Sequence, residues 1–257
     1  MTGSVEASTT LGVVTITLSN PGRRNAITRE MYDRFEAVLL DAGADAGVRA
    51  VVLRGADVAF AGGTDINWLT EIRSGADGVA YEAHMRRVQT ALVQLDVPVI
   101  SVVDGACVGG GIVLAALSDI VLSTPESRFG SPIARTVGNT LSPSSISRLS
   151  TTFGRRAAAE MLFTARLLTA EEAQDAGFLT DVLPIAALEE RLGEILDSIR
   201  ACAPLTLRSF RRLWRRLDAA AADVSAEDVY DEIYASEDFA EGVQAFLGKR
   251  APRFGGL

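Results

Sequence analysis

The sequence predicts an α/β fold: parallel strands joined by crossover helices, then an all-helical C-terminal region. Three observations carry this. Short apolar runs alternate with helical apolar stripes from about residue 13 to residue 122, the pattern of strand–helix–strand units. Two glycine clusters, Gly62-Gly63 and Gly109-Gly110-Gly111, each follow a strand and open a helix. From Pro184 onward strand signals cease and helical stripes succeed one another. The expected division is an α/β core over residues 1–183 and a helical region over residues 184–257.

The elements follow in order. The first ten residues are small and polar and lack the basic-then-apolar pattern of a secretion signal. Residues 13–18 alternate apolar and polar, as a strand does, and Asn20-Pro21-Gly22 stops them. Arg23, Arg24 and Asn25 form a basic loop before a helix with Thr28 as N-cap and Met31, Phe35, Val38 and Leu39 on one stripe. Residues 50–53 are continuously apolar, which predicts a strand buried on both faces. The first glycine turn, Phe60-Ala61-Gly62-Gly63-Thr64-Asp65-Ile66, leads into a helical stretch over residues 67–95 that is interrupted near Gly75 and Gly78. A strand over residues 98–103 ends in an Asp104-Gly105 turn, the three glycines follow, and Leu114-Ala115-Ala116-Leu117 reads as a buried helix. Residues 118–122 begin another strand.

After Phe129 the pattern loosens. Residues 130–150 are rich in Ser, Thr, Gly and Pro and read as a loop with a short helix from about Ser144. Thr169-Ala170-Glu171-Glu172 is a capping box whose helix stops at Gly177. Pro184 opens a helix with Ile185, Leu188, Leu192, Ile195 and Ile199 inward. Pro204 opens another, with a stripe of Leu207, Phe210, Leu213, Trp214 and Leu217. Ser225 and Ser236 are N-cap candidates for two last helices.

Composition narrows the function classes. The net charge of −8 over 257 residues disfavours a nucleic-acid or anionic-membrane binder. The arginines beside the 204–219 stripe, Arg208, Arg211, Arg212, Arg215 and Arg216, fit a solvated face, pairing with the acidic 223–241 segment, or a partner or RNA surface. Two cysteines, Cys107 and Cys202, without paired spacing predict neither a disulfide framework nor a metal site. No apolar run reaches membrane-spanning length. A soluble, cytoplasmic protein is expected.

The glycine turns carry the chemistry. Glycine lets backbone approach another group closely, and N–H groups in the first turn of a helix are free to point at what sits there. Two such turns can aim two N–H groups at one oxygen, which thioester chemistry needs. Taken alone, a glycine cluster after a strand is more often plain tight packing. Their surroundings are more specific: NPGRRNAI, AFAGGTDI, PVISVVDGACVGGG, SDIVLSTPESRFGSP and FTARLLTAEEAQDAGFLTDVLP occur in this order. From about Gly12 to its end the chain resembles the crotonase superfamily, the enoyl-CoA hydratase/isomerase family.

The resemblance implies a crotonase-like spiral of parallel strands and helices, with C-terminal helices that organise a homotrimer or a hexamer built from two trimers. It implies an acyl-CoA substrate, coenzyme A entering as part of it and no permanently bound cofactor. The thioester oxygen would lie between the backbone N–H groups of Thr64 and Gly110. Ala61, Gly62, Thr64, Asp65 and Ile66 would line the adenine and pantetheine path, and Arg23 and Arg24 would approach the phosphates. Phe246, Lys249 and Arg250 match a segment that often reaches a neighbouring subunit's ligand.

The family's hydratases carry one glutamate two residues after the triple glycine and another after the proline of FGxPE. Those positions here are Val113 and Ile133, and neither hydrocarbon transfers a proton. The loop where some isomerases hold their acid, residues 137–142, has none. The remaining polar candidates are Ser131, Arg135, Asn139, Thr140, Ser142, Ser144 and Ser145, an acid from residues 67–95 (Glu71 or Glu82), and the lone His84. Asp65 and Asp104 fit turn or cap roles. The expectation is an acyl-CoA binder that stabilises an enolate while ordinary hydration is crippled. A decarboxylase or thioester hydrolase, and a non-catalytic binder or assembly partner, are the alternatives.

Overall fold

Alternating apolar residues on a few strands decide the architecture, because they feed two separate cores. The computed structural model describes residues 3–222 and 225–256. In chain order the elements begin with β1 (Ser4–Thr10), β2 (Val13–Ser19), α1 (Arg29–Ala44), β3 (Ala50–Gly55), β4 (Ala59–Ala61), α2 (Ile66–Leu69) and α3 (Gly75–Gln94). They continue with β5 (Val99–Val103), β6 (Ala106–Val108), α4 (Gly110–Ala116), β7 (Ile120–Ser123), β8 (Arg128–Gly130), α5 (Ile133–Thr136), α6 (Pro143–Phe153) and α7 (Arg155–Thr164). β9 (Leu168–Thr169), α8 (Ala170–Asp175), β10 (Asp181–Val182), α9 (Ile185–Ala201), α10 (Pro204–Ala222), α11 (Glu227–Ala235) and α12 (Glu237–Leu247) complete the chain.

The main sheet runs β1-β2-β3-β5-β7-β10 and is antiparallel only in the β1–β2 hairpin. On β3, Val51 and Leu53 enter the large core while Ala50 and Val52 face α9. That two-sided burial is why the run reads as continuously apolar. Leu188, Leu192, Ile195 and Ile199 of α9 cover the outer face, as their spacing predicts. A second, smaller sheet runs β4-β6-β8-β9, with β4, β6 and β8 parallel. The large core lies between the sheets, α1, α3 and α4, and it also takes in Tyr230, Tyr234, Phe239 and Val243 of α11 and α12.

Several local expectations are corrected. The polar first ten residues contain β1, paired along its whole length with β2. Leu11 and Gly12 turn the hairpin with φ of 50° and 76°, and most of β1 is exposed, so no burial alternation marks it. The break in the 67–95 stretch falls at residues 70–74. Gly75 and Gly78 lie inside α3 after the Ser74 cap, because a side chain at either would overlap Asp231 or Tyr234 of α11. The 130–150 loop contains α5 and α6, and α6 starts at Pro143 under a Ser142 cap. Helix α7 had no reading in the sequence. Ile185 is exposed rather than inward. α11 is preceded by Ala226 as its N-cap, not Ser225, whereas Ser236 does cap α12.

The basic helix is corrected most. Phe210, Leu213, Trp214 and Leu217 of α10 are all at least half exposed. Four of its arginines find partners on the protein instead. Arg211 is buried, ion-paired with Asp119, and donates to the backbone oxygens of Leu95 and Leu92 at 3.0 and 3.1 Å. Arg208, Arg212 and Arg215 converge on Asp96. The partners are thus the C-terminal end of α3 and its exit loop, not the acidic 223–241 segment, of which residues 223 and 224 lie outside the described residues.

Candidate active site

Three parallel neighbours, β4, β6 and β8, deliver their C-terminal ends to one place. Ligand crevices in α/β sheets form at such ends. β4 runs out into Gly62-Gly63-Thr64, β6 into Gly109-Gly110, and β8 into Ser131-Pro132-Ile133. The two glycine turns touch. A methyl group at Gly109 would stand 3.3 Å from Gly63 Cα, and one at Gly63 would stand 3.6 Å from Gly110 N. Gly63 and Gly109 hold positive φ, 96° and 56°, a backbone conformation that disfavours any side chain there.

Backbone pairing sets the direction of the Thr64 amide. Gly63 O accepts from Ile27 N at 2.7 Å and Asp65 N donates to Ile27 O at 2.8 Å. In the trans peptide the Thr64 N–H lies opposite the Gly63 carbonyl, so it points away from Ile27. Thr64 N lies 3.8 Å from where a Gly110 side chain would begin. Gly110 is the first residue of α4, so its N–H has no intrahelical acceptor.

These turns border a cavity of roughly 870 Å³. Gly62, Thr64, Asp65 and Ile66 line it, and so do Arg23, Arg24, Phe246 and Lys249 of this same chain. Ala61 does not. It is fully buried, with its carbonyl and methyl beneath Gly111. Arg23 pairs with Asp65 at 3.0 Å, and Asp65 also caps α2 by accepting from Asn67 N at 2.9 Å. Among the described residues, neither Arg24 nor Lys249 has a carboxylate within salt-bridge distance. Arg250 turns away to Glu241.

Val113 and Ile133 both line the cavity. Of the polar candidates, Asn139, Thr140, Ser142 and Ser145 line it as well. Ser144 bonds Ser142 and faces a neighbouring groove, and Ser131 is fully buried outside the lining. Arg135 donates to Ala165 O at 2.9 Å, and Asp104 accepts from Thr124. Glu71 is exposed beside Arg29. His84 lies outside the cavity, edge-on to Trp68 at 5.0 Å and 3.1 Å from an Asp33 oxygen.

Three tyrosines that the sequence did not single out support the site: Tyr32 and Tyr81 line the cavity, and Tyr234 stands behind Glu82. Tyr32 and Tyr81 both bond the Thr64 hydroxyl, at 3.2 and 3.0 Å. Burial pushes the Tyr32 hydroxyl up to about 12 and the Tyr81 hydroxyl well above its ordinary value, so both stay protonated. Tyr234 of α11 donates to Glu82 Oε1 at 2.6 Å. Glu82 is 5% exposed and lines the cavity. Burial raises its carboxyl to about 7, against the Tyr234 hydrogen bond and the Arg86 charge, which both pull it down. The tyrosines sit on helical stripes where an aromatic residue reads as core, so the sequence carried no signal separating them from packing.

The sequence pattern of the enoyl-CoA hydratase/isomerase family matches residues 8–256. The 2,3-dehydroadipyl-CoA hydratase of Escherichia coli (strain K12) is 30% identical over 249 residues, 95% of each chain. Among solved structures, an enoyl-CoA hydratase/carnithine racemase from Magnetospirillum magneticum matches with a TM-score of 0.80 and 30% identity, covering 99% of this chain and 97% of its own. A methylmalonyl-CoA decarboxylase in complex with 2-nitronate-propionyl-CoA matches with a TM-score of 0.89 and 27% identity over the whole of both chains. The fold is crotonase-like α/β with a C-terminal helical region, and the chain belongs to the enoyl-CoA hydratase/isomerase family.

Proposed function

We propose that the cavity binds an acyl-CoA thioester and stabilises its enolate between the main-chain N–H groups of Thr64 and Gly110. The contact between the two glycine turns carries this reading. It is supported by Thr64 N lying 3.8 Å from where a Gly110 side chain would begin, and by two N–H groups spent neither in the Ile27 bridge nor in the α4 ladder. Two fixed donors favour an oxygen that gains charge in the transition state, and losing one such donor typically costs about 3 kcal/mol. Arg23, Arg24 and Lys249 supply cations for the coenzyme A phosphates, and Gly62, Asp65, Ile66 and Phe246 support the path of its adenine and pantetheine. Ala61 supports the turn from beneath. Coenzyme A enters with the substrate, and no resident cofactor is required.

Hydration of an enoyl thioester needs one group to activate water and another to carry the proton at C2. With Val113 and Ile133 at the family's glutamate positions, ordinary hydration is crippled. Crotonyl-CoA hydration is expected about 100-fold or more below that of a two-glutamate hydratase, while calorimetry detects acyl-CoA binding. Turnover near the ordinary rate refutes the first expectation, and absence of binding across an acyl-CoA panel refutes the reading as a whole.

Decarboxylation is the second reading, favoured by the likeness to the methylmalonyl-CoA decarboxylase. Loss of CO₂ generates the enolate without a base at C2, so hydrocarbon at the glutamate positions is no obstacle. Product analysis over malonyl-type thioesters separates the two. A panel that is bound and never turned over would mark a non-catalytic binder. The exposed apolar stripe of α10 supports assembly into a trimer or a pair of trimers.

A further inference from the structure

Two carboxylates line the cavity, and they are not equivalent. Asp65 is committed to Arg23 and to the cap of α2. Glu82 has no cation within salt-bridge distance among the described residues, and its single hydrogen bond comes from Tyr234 to Oε1. Its other oxygen is left for the cavity. The carboxylate is tied to the oxyanion turn through its own helix, because the preceding residue, Tyr81, bonds Thr64 Oγ1 at 3.0 Å. That hydroxyl also meets Tyr32, which lies against Gly110. The α3 segment carrying Glu82 is therefore fixed to both glycine turns by hydroxyl contacts, not left as a mobile arm.

We propose that Glu82 is the proton carrier of this site, replacing from helix α3 the carboxylates missing at Val113 and Ile133. The inference rests on the acyl-CoA reading above. In the step, the C2–H bond of the bound thioester breaks and its proton passes to a Glu82 carboxylate oxygen. The C–H electron pair moves to the C1–C2 bond, and the carbonyl π pair moves to the thioester oxygen held by Thr64 and Gly110. The reverse step returns the proton to C2, and it also quenches an enolate left by loss of CO₂. Proton transfer of this kind contributes typically about 10²- to 10⁴-fold.

The groups around Glu82 fit this role. Tyr230 and Tyr234 of α11, Tyr32 of α1, and Tyr81 and Arg86 of α3 are the titratable and charged neighbours. The four tyrosines all have hydroxyls raised by burial, so none competes with Glu82 for a proton near neutral pH. A carboxyl titrating at about 7 is matched to both taking and giving a proton there. Tyr234 is a positioning residue, since it favours the carboxylate and fixes which oxygen stays free.

The test follows C2 hydrogen–deuterium exchange of propionyl-CoA and butyryl-CoA in D₂O by mass spectrometry, alongside calorimetric binding of the same thioesters. In the full-length protein, exchange is expected to rise through pH 7 and level off above it. Glu82→Gln should lose about 100-fold or more while its acyl-CoA affinity stays within about threefold, a change of under 1 kcal/mol. Tyr234→Phe should move the midpoint of the pH profile upward by about one unit and leave binding intact. Exchange in Glu82→Gln within about threefold of wild type, or wild-type binding without exchange, overturns the proposal and spares the acyl-CoA reading. Absence of wild-type binding overturns both. If Glu82→Gln misfolds, Glu82→Asp and the Tyr234→Phe midpoint decide, an unshifted midpoint counting against the proposal.

Discussion

Burial that raises the Glu82 carboxyl from its ordinary 4.5 to about 7 also taxes the fold. Between those pH values the native protein holds a proton that the unfolded chain has released. Stability therefore falls as pH climbs through this window and flattens above it. The full span corresponds to about 3 kcal/mol. Glu82→Gln removes this dependence, so in urea denaturation its stability relative to wild type should improve from pH 4.5 to about pH 7 and then level off. Parallel stability–pH curves for the two proteins would show that Glu82 titrates normally. At this scale part of the cavity lining was legible in the sequence. Thr64, Gly110, Val113 and Ile133 were legible because each sits at a fixed offset from a glycine or proline on a strand end. Glu82 could not be told from Glu71, since both fall in the one stretch, residues 67–95, whose sequence has helical character. The difference is Tyr234, 152 residues away, which closes over one and not the other.

Among elements, α3 is the hinge between chemistry and scaffold, and its two glycines show why. Gly78 lies under the Tyr234 ring and Gly75 under the Asp231 backbone. Small residues let α11 approach closely enough for Tyr234 to reach Glu82. Gly78→Ala adds a methyl that overlaps the Tyr234 ring, outweighing the gain in helix propensity, and is expected to cost about 1–3 kcal/mol. It should also displace Tyr234 and shift the Glu82 titration upward, which a pH series of the variant reads directly. The other end of α3 is held by Arg211, whose guanidinium gathers the carbonyls of Leu92 and Leu95 with Asp119. Arg211→Ala leaves Asp119 without its cation and the Leu95 carbonyl without its guanidinium donor. The expected loss is about 3–5 kcal/mol, whereas Arg216→Ala on the same helix, for which no ion pair is found among the described residues, should be near neutral. Local signals served at the caps Thr28, Thr169 and Ser236 and failed at Ser225, where Ala226 is the N-cap. The α3 start was misread because glycine looks like a breaker when its neighbour lies far along the chain.

For the whole molecule, the orientation of α10 decides what the single chain leaves unfinished. An amphipathic helix on a lone globular protein turns its apolar stripe to the core. Here Leu205, Phe210, Leu213, Trp214 and Leu217 are 50–73% exposed, while Arg211 is buried. The arginine face meets α3 and Asp96, so the helix cannot roll over without breaking those bonds. The sequence displays the stripe but not the direction in which it faces, because both faces of α10 carry groups that prefer a partner. A contiguous exposed stripe of this size marks an interaction surface. Self-association is the economical way to cover it, since a symmetric oligomer gives every copy of α10 the same partner. Sedimentation should find the wild-type chain as a trimer or a multiple of three. Leu213→Glu/Trp214→Glu places charges within the stripe and should shift the species to monomer at micromolar concentration. Far-UV circular dichroism should hold, because neither side chain supports its own subunit's core. A wild-type monomer, or a double variant that sediments unchanged, would mean that α10 serves some other contact. The cavity side chains Phe246 and Lys249 come from this same chain, so the monomeric variant should keep measurable acyl-CoA binding, separating assembly from ligand recognition.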